Sequence, residues 1–287
     1  STVQVDRYAR YPERSFAKHE LHTRGKAFGL TPLHWAAYQG ELSQLRDVLQ
    51  GTAQINARSA TGATPLMLAA QAGELDVLQC VMDAGADLDL VDAQANTALI
   101  TAIAFGQADV AKALMQAGAK VDAANKEGFT ALHYAATHED LDLVKDLMSR
   151  AAPLQASSQS GLTPLMIAVT AGRDETVNYL LAQGQDPNAL DDHGNNALLL
   201  ALIFKHTEVA EILIRAGADL SMQNEQGETA WQLAAANRDK RIMHLLKQAG
   251  VRPPSHGILF ALGGLVALCG VSLAVLRIRQ NQSQPSL

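Results

Sequence analysis

Residues 31–37 read TPLHWAA, and variants of that heptad return at 64 (TPLMLAA), 97 (TALITAI), 130 (TALHYAA), 163 (TPLMIAV), 196 (NALLLAL) and 229 (TAWQLAA). Every interval is 33 residues, with no insertion or deletion. Self-similarity at a fixed period of this size marks a stack of similar supersecondary units. Each position in the heptad has a local reason. Thr at its start offers a side-chain oxygen to the free amides of a helix N-terminus, and Pro next to it suits the first helical turn. The paired alanines let neighbouring helices approach closely.

The residues around each heptad extend the pattern. Two positions before it stands Gly29, Gly62, Gly128, Gly161, Gly194 or Gly227, with Ala95 in the third unit. Gly40, Gly73, Gly106 and Gly172 mark a tight turn after the first helix, where Glu139, Lys205 and Arg238 stand in the other units. A second helix follows, with apolar residues at helical spacing such as Leu42, Leu45 and Leu49, or Leu75, Leu78 and Met82. It ends at Gly51, Gly85, Gly118, Gly184, Gly217 or Gly250, with Ala151 in the fourth unit. No such helix–turn–helix buries its apolar faces alone, so the units must stack.

The heptad and the period together resemble the ankyrin-repeat family, whose T-P-L-H-x-A signature recurs every 33 residues. The resemblance covers residues 22–252 and implies an all-α solenoid of seven helix–turn–helix units with β-turn fingers along one edge. It also implies protein binding, through the fingers and the concave face of the inner helices, rather than catalysis.

Composition agrees with a folded chain. Of 287 residues 48% are hydrophobic, 18% charged and 5% aromatic, which excludes a disordered polymer. Cys80 and Cys269 are the only cysteines, so neither a disulfide scaffold nor a multi-cysteine zinc module is possible. The net charge of −6 argues against a general nucleic-acid binder. Charge is unevenly placed: residues 1–28 hold six bases against three acids, and residues 29–256 hold 15 bases against 26 acids. The basic N-terminal segment 1–28 is expected to cap the open first repeat; a lipid-facing arm and a second peptide contact are the alternatives.

From Gly257 to Leu276 the chain reads GILFALGGLVALCGVSLAVL, without a single charge. A helix of 20 residues covers about 30 Å, the thickness of a bilayer's hydrocarbon core. Residues 257–276 are therefore expected to form a transmembrane helix, the alternative being a buried core helix. Arg238, Lys240, Arg241, Lys247 and Arg252 precede it, and Arg277 and Arg279 follow. This bias places the ankyrin domain (29–252) in the cytoplasm and a short polar tail (277–287) on the far side, a tail-anchored, single-pass topology. Gly263, Ala267, Gly270 and Ala274 share one face of that helix, a stripe that permits helix–helix association in lipid, although small residues are common in spans generally.

No catalytic constellation is found: there is no G-x-S-x-G, P-loop or dinucleotide fingerprint, and no cofactor or metal is implied. His34 and His133 stand three repeats apart in the signature heptad, where the family uses the position for hydrogen bonding within the repeat. His19 and His22 lack a third ligand. Asp191-Asp192-His193 reads as a polar turn. Cys80, among Leu78, Val81 and Met82, reads as core.

The resemblance places variable inner-face residues at Trp35, Leu68, Thr101, Tyr134, Ile167, Leu200 and Leu233. Ile167, Leu200 and Leu233 are expected to be covered by their own repeats. A concave protein-binding site is expected over Trp35, Tyr38, Leu68, Gln71, Thr101, Tyr134, Thr137 and His138. The fingers add Arg58, Asp92, Lys126, Asp191, Asp192 and Asn224. The expected function is a non-enzymatic adaptor or scaffold that holds a membrane-bound or membrane-proximal protein at a lipid bilayer. Two alternatives are an accessory subunit recognised through its span, and a regulator or inhibitor of a membrane-associated enzyme.

Overall fold

The computed structural model describes residues 29–51 and 54–251, which fall into two compact units dividing after Lys120. The segment 1–28, the expected transmembrane stretch 257–276 with its Gly263, Ala267, Gly270 and Ala274 stripe, and residues 277–287 lie outside the described residues. Among the described residues all regular structure is α-helical, 14 helices in all, and none is long and apolar enough to cross a membrane.

The first unit holds three helix pairs: α1 (Pro32–Gln39) with α2 (Leu42–Leu49), α3 (Pro65–Ala72) with α4 (Leu75–Asp83), and α5 (Ala98–Ala104) with α6 (Ala108–Gln116). The second holds four: α7 (Ala131–Ala135) with α8 (Leu141–Ser149), α9 (Pro164–Ala171) with α10 (Asp174–Ala182), α11 (Ala197–Ile203) with α12 (Thr207–Arg215), and α13 (Ala230–Ala236) with α14 (Lys240–Gln248). Within each unit the inner helices pack on one another in chain order, and the outer helices do the same.

The heptad explains each inner helix. Thr31, Thr64, Thr97, Thr163 and Thr229 take extended backbone angles and accept a hydrogen bond from the amide three residues on, and Asn196 does so in the sixth repeat. The first alanine of the pair, from Ala36 through Ala234, is at most 1% exposed in all seven repeats. Buried to this degree, it leaves no room for a larger side chain, which would overpack. Five outer helices lack a side-chain cap; in four of them acids in the first turn, such as Asp76, Asp109 and Glu208, face the positive end of the helix dipole instead. The turns need left-handed backbone, and Ala95, Ala151, Lys205 and Arg238 adopt it where glycine is missing. Gly161, by contrast, is fixed by space as well: a Cβ there would lie 2.9 Å from the Leu190 carbonyl oxygen.

Candidate protein-binding surfaces

The fingers are built by one side chain per repeat, spaced 33 residues apart: Ser59, Asp92, Asn125, Ser158, Asp191 and Asn224. Each accepts a hydrogen bond from the backbone amide four residues on. Ser59 Oγ holds Ala63, Asp92 Oδ1 holds Asn96, Asn125 Oδ1 holds Phe129, Ser158 Oγ holds Leu162, Asp191 Oδ1 holds Asn195 and Asn224 Oδ1 holds Glu228, at 2.8–3.1 Å. Successive fingers then join through their tips. In the first unit the Ala93 amide donates to the Thr61 carbonyl at 2.8 Å. In the second, Gln159 donates to Glu127, Asp192 to Ser160 and Glu225 to His193, at 2.8–3.1 Å.

This architecture sorts the expected finger contacts. Asp191 is only 6% exposed and Asn224 only 5%, because both carboxylate and amide turn inward to lock their own loops. They hold the fingers and present little to a partner, contrary to expectation. Asp92, half-buried, holds its loop in the same way. Arg58, Lys126 and Asp192 are exposed at the tips as expected, and the Arg58 guanidinium donates to the Val91 carbonyl at 2.8 Å.

The two signature histidines pin fingers to helices. In the first unit, His34 Nδ1 accepts from the Thr31 amide at 3.1 Å while Nε2 donates to the Ala63 carbonyl of the next repeat at 3.0 Å. In the second, His133 Nδ1 accepts from Thr130 and Nε2 donates to Leu162, at the same two distances. This arrangement requires a neutral ring with its proton on Nε2. Burial lowers both ring pKa values, His133 to about 4.

The inner-helix row is not the open apolar strip expected from the heptad. In the first unit Trp35 and Tyr38 on α1, Gln71 on α3 and Thr101 on α5 are half-buried and reachable, but Leu68 is 3% exposed. Leu68 sits on the middle helix, which packs on both α1 and α5. Thr101 turns its hydroxyl back to the Thr97 carbonyl. In the second unit Tyr134 is 9% exposed: its hydroxyl accepts from Asn125 Nδ2 at 3.1 Å and its ring meets the Phe129 ring edge-on. Thr137 is fully buried, its hydroxyl donating to the Tyr134 carbonyl and its own carbonyl accepting from Arg173 Nε. His138 is half-buried at the same edge. Ile167, Leu200 and Leu233 are buried, as their repeats lead one to expect. Tyr134, Thr137 and Leu68 therefore serve packing.

Two aromatics were not anticipated at this surface. Phe105 and Phe204 end their inner helices at one register position, half-buried, where the other repeats carry Gln39, Ala72, His138, Ala171 and Asn237. An apolar ring at a position otherwise held by small or polar residues, His138 among them, was the available signal. Cys80 is half-buried and not core. Among the described residues no group of three His, Cys, Asp or Glu is arranged to hold a metal.

A family model for ankyrin repeats (three copies) matches in six overlapping placements that together run from residue 13 to residue 256. Among curated proteins no sequence matches the chain. Among solved structures, the human ASB11 ankyrin repeat domain aligns at TM-score 0.66 and 24% identity, over 79% of this chain and 100% of that one. The ankyrin repeat domain of Bcl-3, described as a member of the IkappaB protein family, aligns at 0.64 and 30% identity, over 77% and 99%. A chain from the complex of the Bd0816 predatory endopeptidase of Bdellovibrio bacteriovorus with immunity protein Bd3460 aligns at 0.60 and 29% identity, over 64% and 97%.

Proposed function

Because this chain belongs to the ankyrin-repeat family, we propose that it is a non-enzymatic adaptor whose helix pairs bind a protein partner and hold it at a membrane. The observation that carries the binding reading is the first unit's inner face. Trp35 and Tyr38 stand three residues apart on α1, half-buried, with Gln71 and Thr101 on the next two inner helices. Aromatic rings partly open to water, beside polar side chains, make the anchor-and-rim composition of a protein contact. Phe105 extends that surface, and Arg58 offers an exposed cation at a fingertip. In the second unit His138, Phe204, Lys126 and Asp192 are the corresponding groups.

The membrane part rests on residues 257–276, an uncharged stretch of bilayer length. Only the six residues from Val251 to His256 lie between the last repeat and Gly257, a reach of about 20 Å, so the partner is a membrane protein or one recruited close to the surface. In this reading residues 257–276 cross the bilayer, with the repeats on the cytoplasmic side. A second reading, regulation of a bound enzyme, is favoured by the similarity to a chain from an endopeptidase–immunity protein complex.

Affinity capture from native membranes tests the proposal, comparing the wild-type chain with Trp35→Ala and with a chain whose Gly263, Ala267 and Gly270 are changed to Leu. Loss of the captured protein with Trp35→Ala alone supports recognition by the repeats. Loss with the glycine and alanine changes alone assigns recognition to the span and overturns the adaptor reading. An activity assay on the captured protein, with and without the chain, decides whether binding also regulates.

A further inference from the structure

The last described repeat differs in charge from all that precede it. Residues 29–228 carry 25 acids and 10 bases, whereas residues 229–251 carry four bases (Arg238, Lys240, Arg241, Lys247) and one acid, Asp239. Lys240 and Lys247 lie on the face that an eighth repeat would cover, whereas Arg241 turns back to the sixth repeat. One repeat earlier, Thr207 Oγ1 donates to Asp239 of the next repeat at 2.6 Å, and the buried Glu211 carboxylate pairs with Arg241 of the next repeat. The same register positions in the last repeat hold Lys240 and His244, both exposed. Lys247 continues that stripe at the i+7 position of α14. The apolar register positions behave alike. Leu198 and Ala210 are fully buried, while their equivalents Trp231 and Met243 are only half-buried.

We propose that this end face, Trp231 and Met243 flanked by Lys240, His244 and Lys247, docks on the headgroup layer of an anionic membrane. The proposal rests on the tethering reading above and deepens it. Charge complementarity selects the occupant. No Asp or Glu follows Asp239 anywhere in the sequence, so residues 252–287 hold nothing to neutralise Lys240 and Lys247. A second copy stacked end to end would set these lysines against their own equivalents. Anionic headgroups supply the missing charge, and a bilayer-length apolar stretch begins six residues after Val251. Tryptophan at such a surface has a physical role, since its ring is favoured at headgroup depth. Docking would also fix the orientation of the repeats: the acidic units are repelled from the same surface while their basic end is held to it.

The test uses the full chain, reconstituted in vesicles, with Trp35→Phe so that Trp231 is the remaining tryptophan. Lipids labelled with a quencher in the headgroup report its depth. In phosphatidylcholine vesicles with about 30% phosphatidylserine, Trp231 emission is quenched; in phosphatidylcholine alone it is not. Lys240→Gln with Lys247→Gln lowers the docked-to-free ratio about fivefold per lysine, roughly thirtyfold together, and about 0.5 M salt acts in the same direction. Flotation that survives salt, without quenching, overturns the docking and leaves the tether standing. Absence of flotation overturns the tether and the docking with it. Quenching that ignores both phosphatidylserine and the lysine changes overturns the electrostatic docking. A Trp231 signal that follows protein concentration instead of lipid composition assigns the face to a second copy and overturns it too.

Discussion

Lowering the pH from 7 to 5 acts on His133 as a buried base. Its folded pKa is near 4 because burial disfavours the imidazolium, against 6.5 for the ordinary group. Between those values the unfolded chain binds the proton and the folded chain does not, so stability falls as pH falls. The full separation corresponds to about 3 kcal/mol, and roughly 2 kcal/mol of it is lost between pH 7 and pH 5. His34, also lowered by burial, acts with the same sign. The chain supplies its own control. In the seventh repeat Gln232 takes the histidine's place, and its Oε1 accepts from the Thr229 amide at 2.8 Å, closing the helix N-terminus without a titrating group. His133→Gln should therefore keep the cap and lose the bond to Leu162, a cost of about 1 kcal/mol at pH 7. At pH 5 the order reverses, and the variant becomes more stable than wild type by about 1 kcal/mol. Urea unfolding of the full chain in detergent micelles, followed by far-UV circular dichroism at both pH values, reads the difference. A gap between the two proteins that does not change with pH refutes the buried neutral histidine.

Other perturbations separate contacts that look alike in sequence. Gly161→Ala should cost more than Gly217→Ala by about 1–3 kcal/mol in thermal or urea unfolding: both positions have left-handed backbone, but only the first places a Cβ against a neighbouring backbone. Asp191→Ala should destabilise by roughly 2 kcal/mol, since it strips the acceptor from two backbone amides and the Asn195 side chain, whereas Asp192→Ala should be near neutral in the same assay. Arg241→Ala leaves the buried Glu211 carboxylate with Arg215 alone and should cost about 1–3 kcal/mol in urea unfolding, with amide protection lost first in α12 and α14.

The repeat itself was legible because its causes are local. A threonine cap, a proline in the first turn and a close-packed alanine act within one repeat or between immediate neighbours. Their 33-residue recurrence therefore carries directly into helix pairs. Exposure is a different matter. Trp35 and Leu68 occupy the same register position, yet one is reachable and the other buried, because Leu68 is on the helix that has inner helices on both sides. Tyr134 has the composition of an anchor and is held instead by Asn125 and Phe129. Asp191 and Asp192 are adjacent and chemically identical; only the register with Ser59, Asp92, Asn125, Ser158 and Asn224 distinguishes the loop lock from the exposed tip. That register is present in the sequence: Asp92, Asp191 and Asn224 stand on it, and Arg58, Lys126 and Asp192 stand one position away. Phe105, Phe204 and Trp231 show the converse, rings whose exposure depends on what the adjoining layer leaves uncovered.

The most direct test of protein binding through the repeats is photo-crosslinking in the native host, with a benzophenone amino acid replacing Trp35 in the full chain. The account predicts a discrete protein adduct from position 35 that is absent when the same residue is placed at the buried Leu165, with the chain folded in both cases. No protein adduct at position 35, while the same crosslinker placed within residues 257–276 captures a partner, would contradict it.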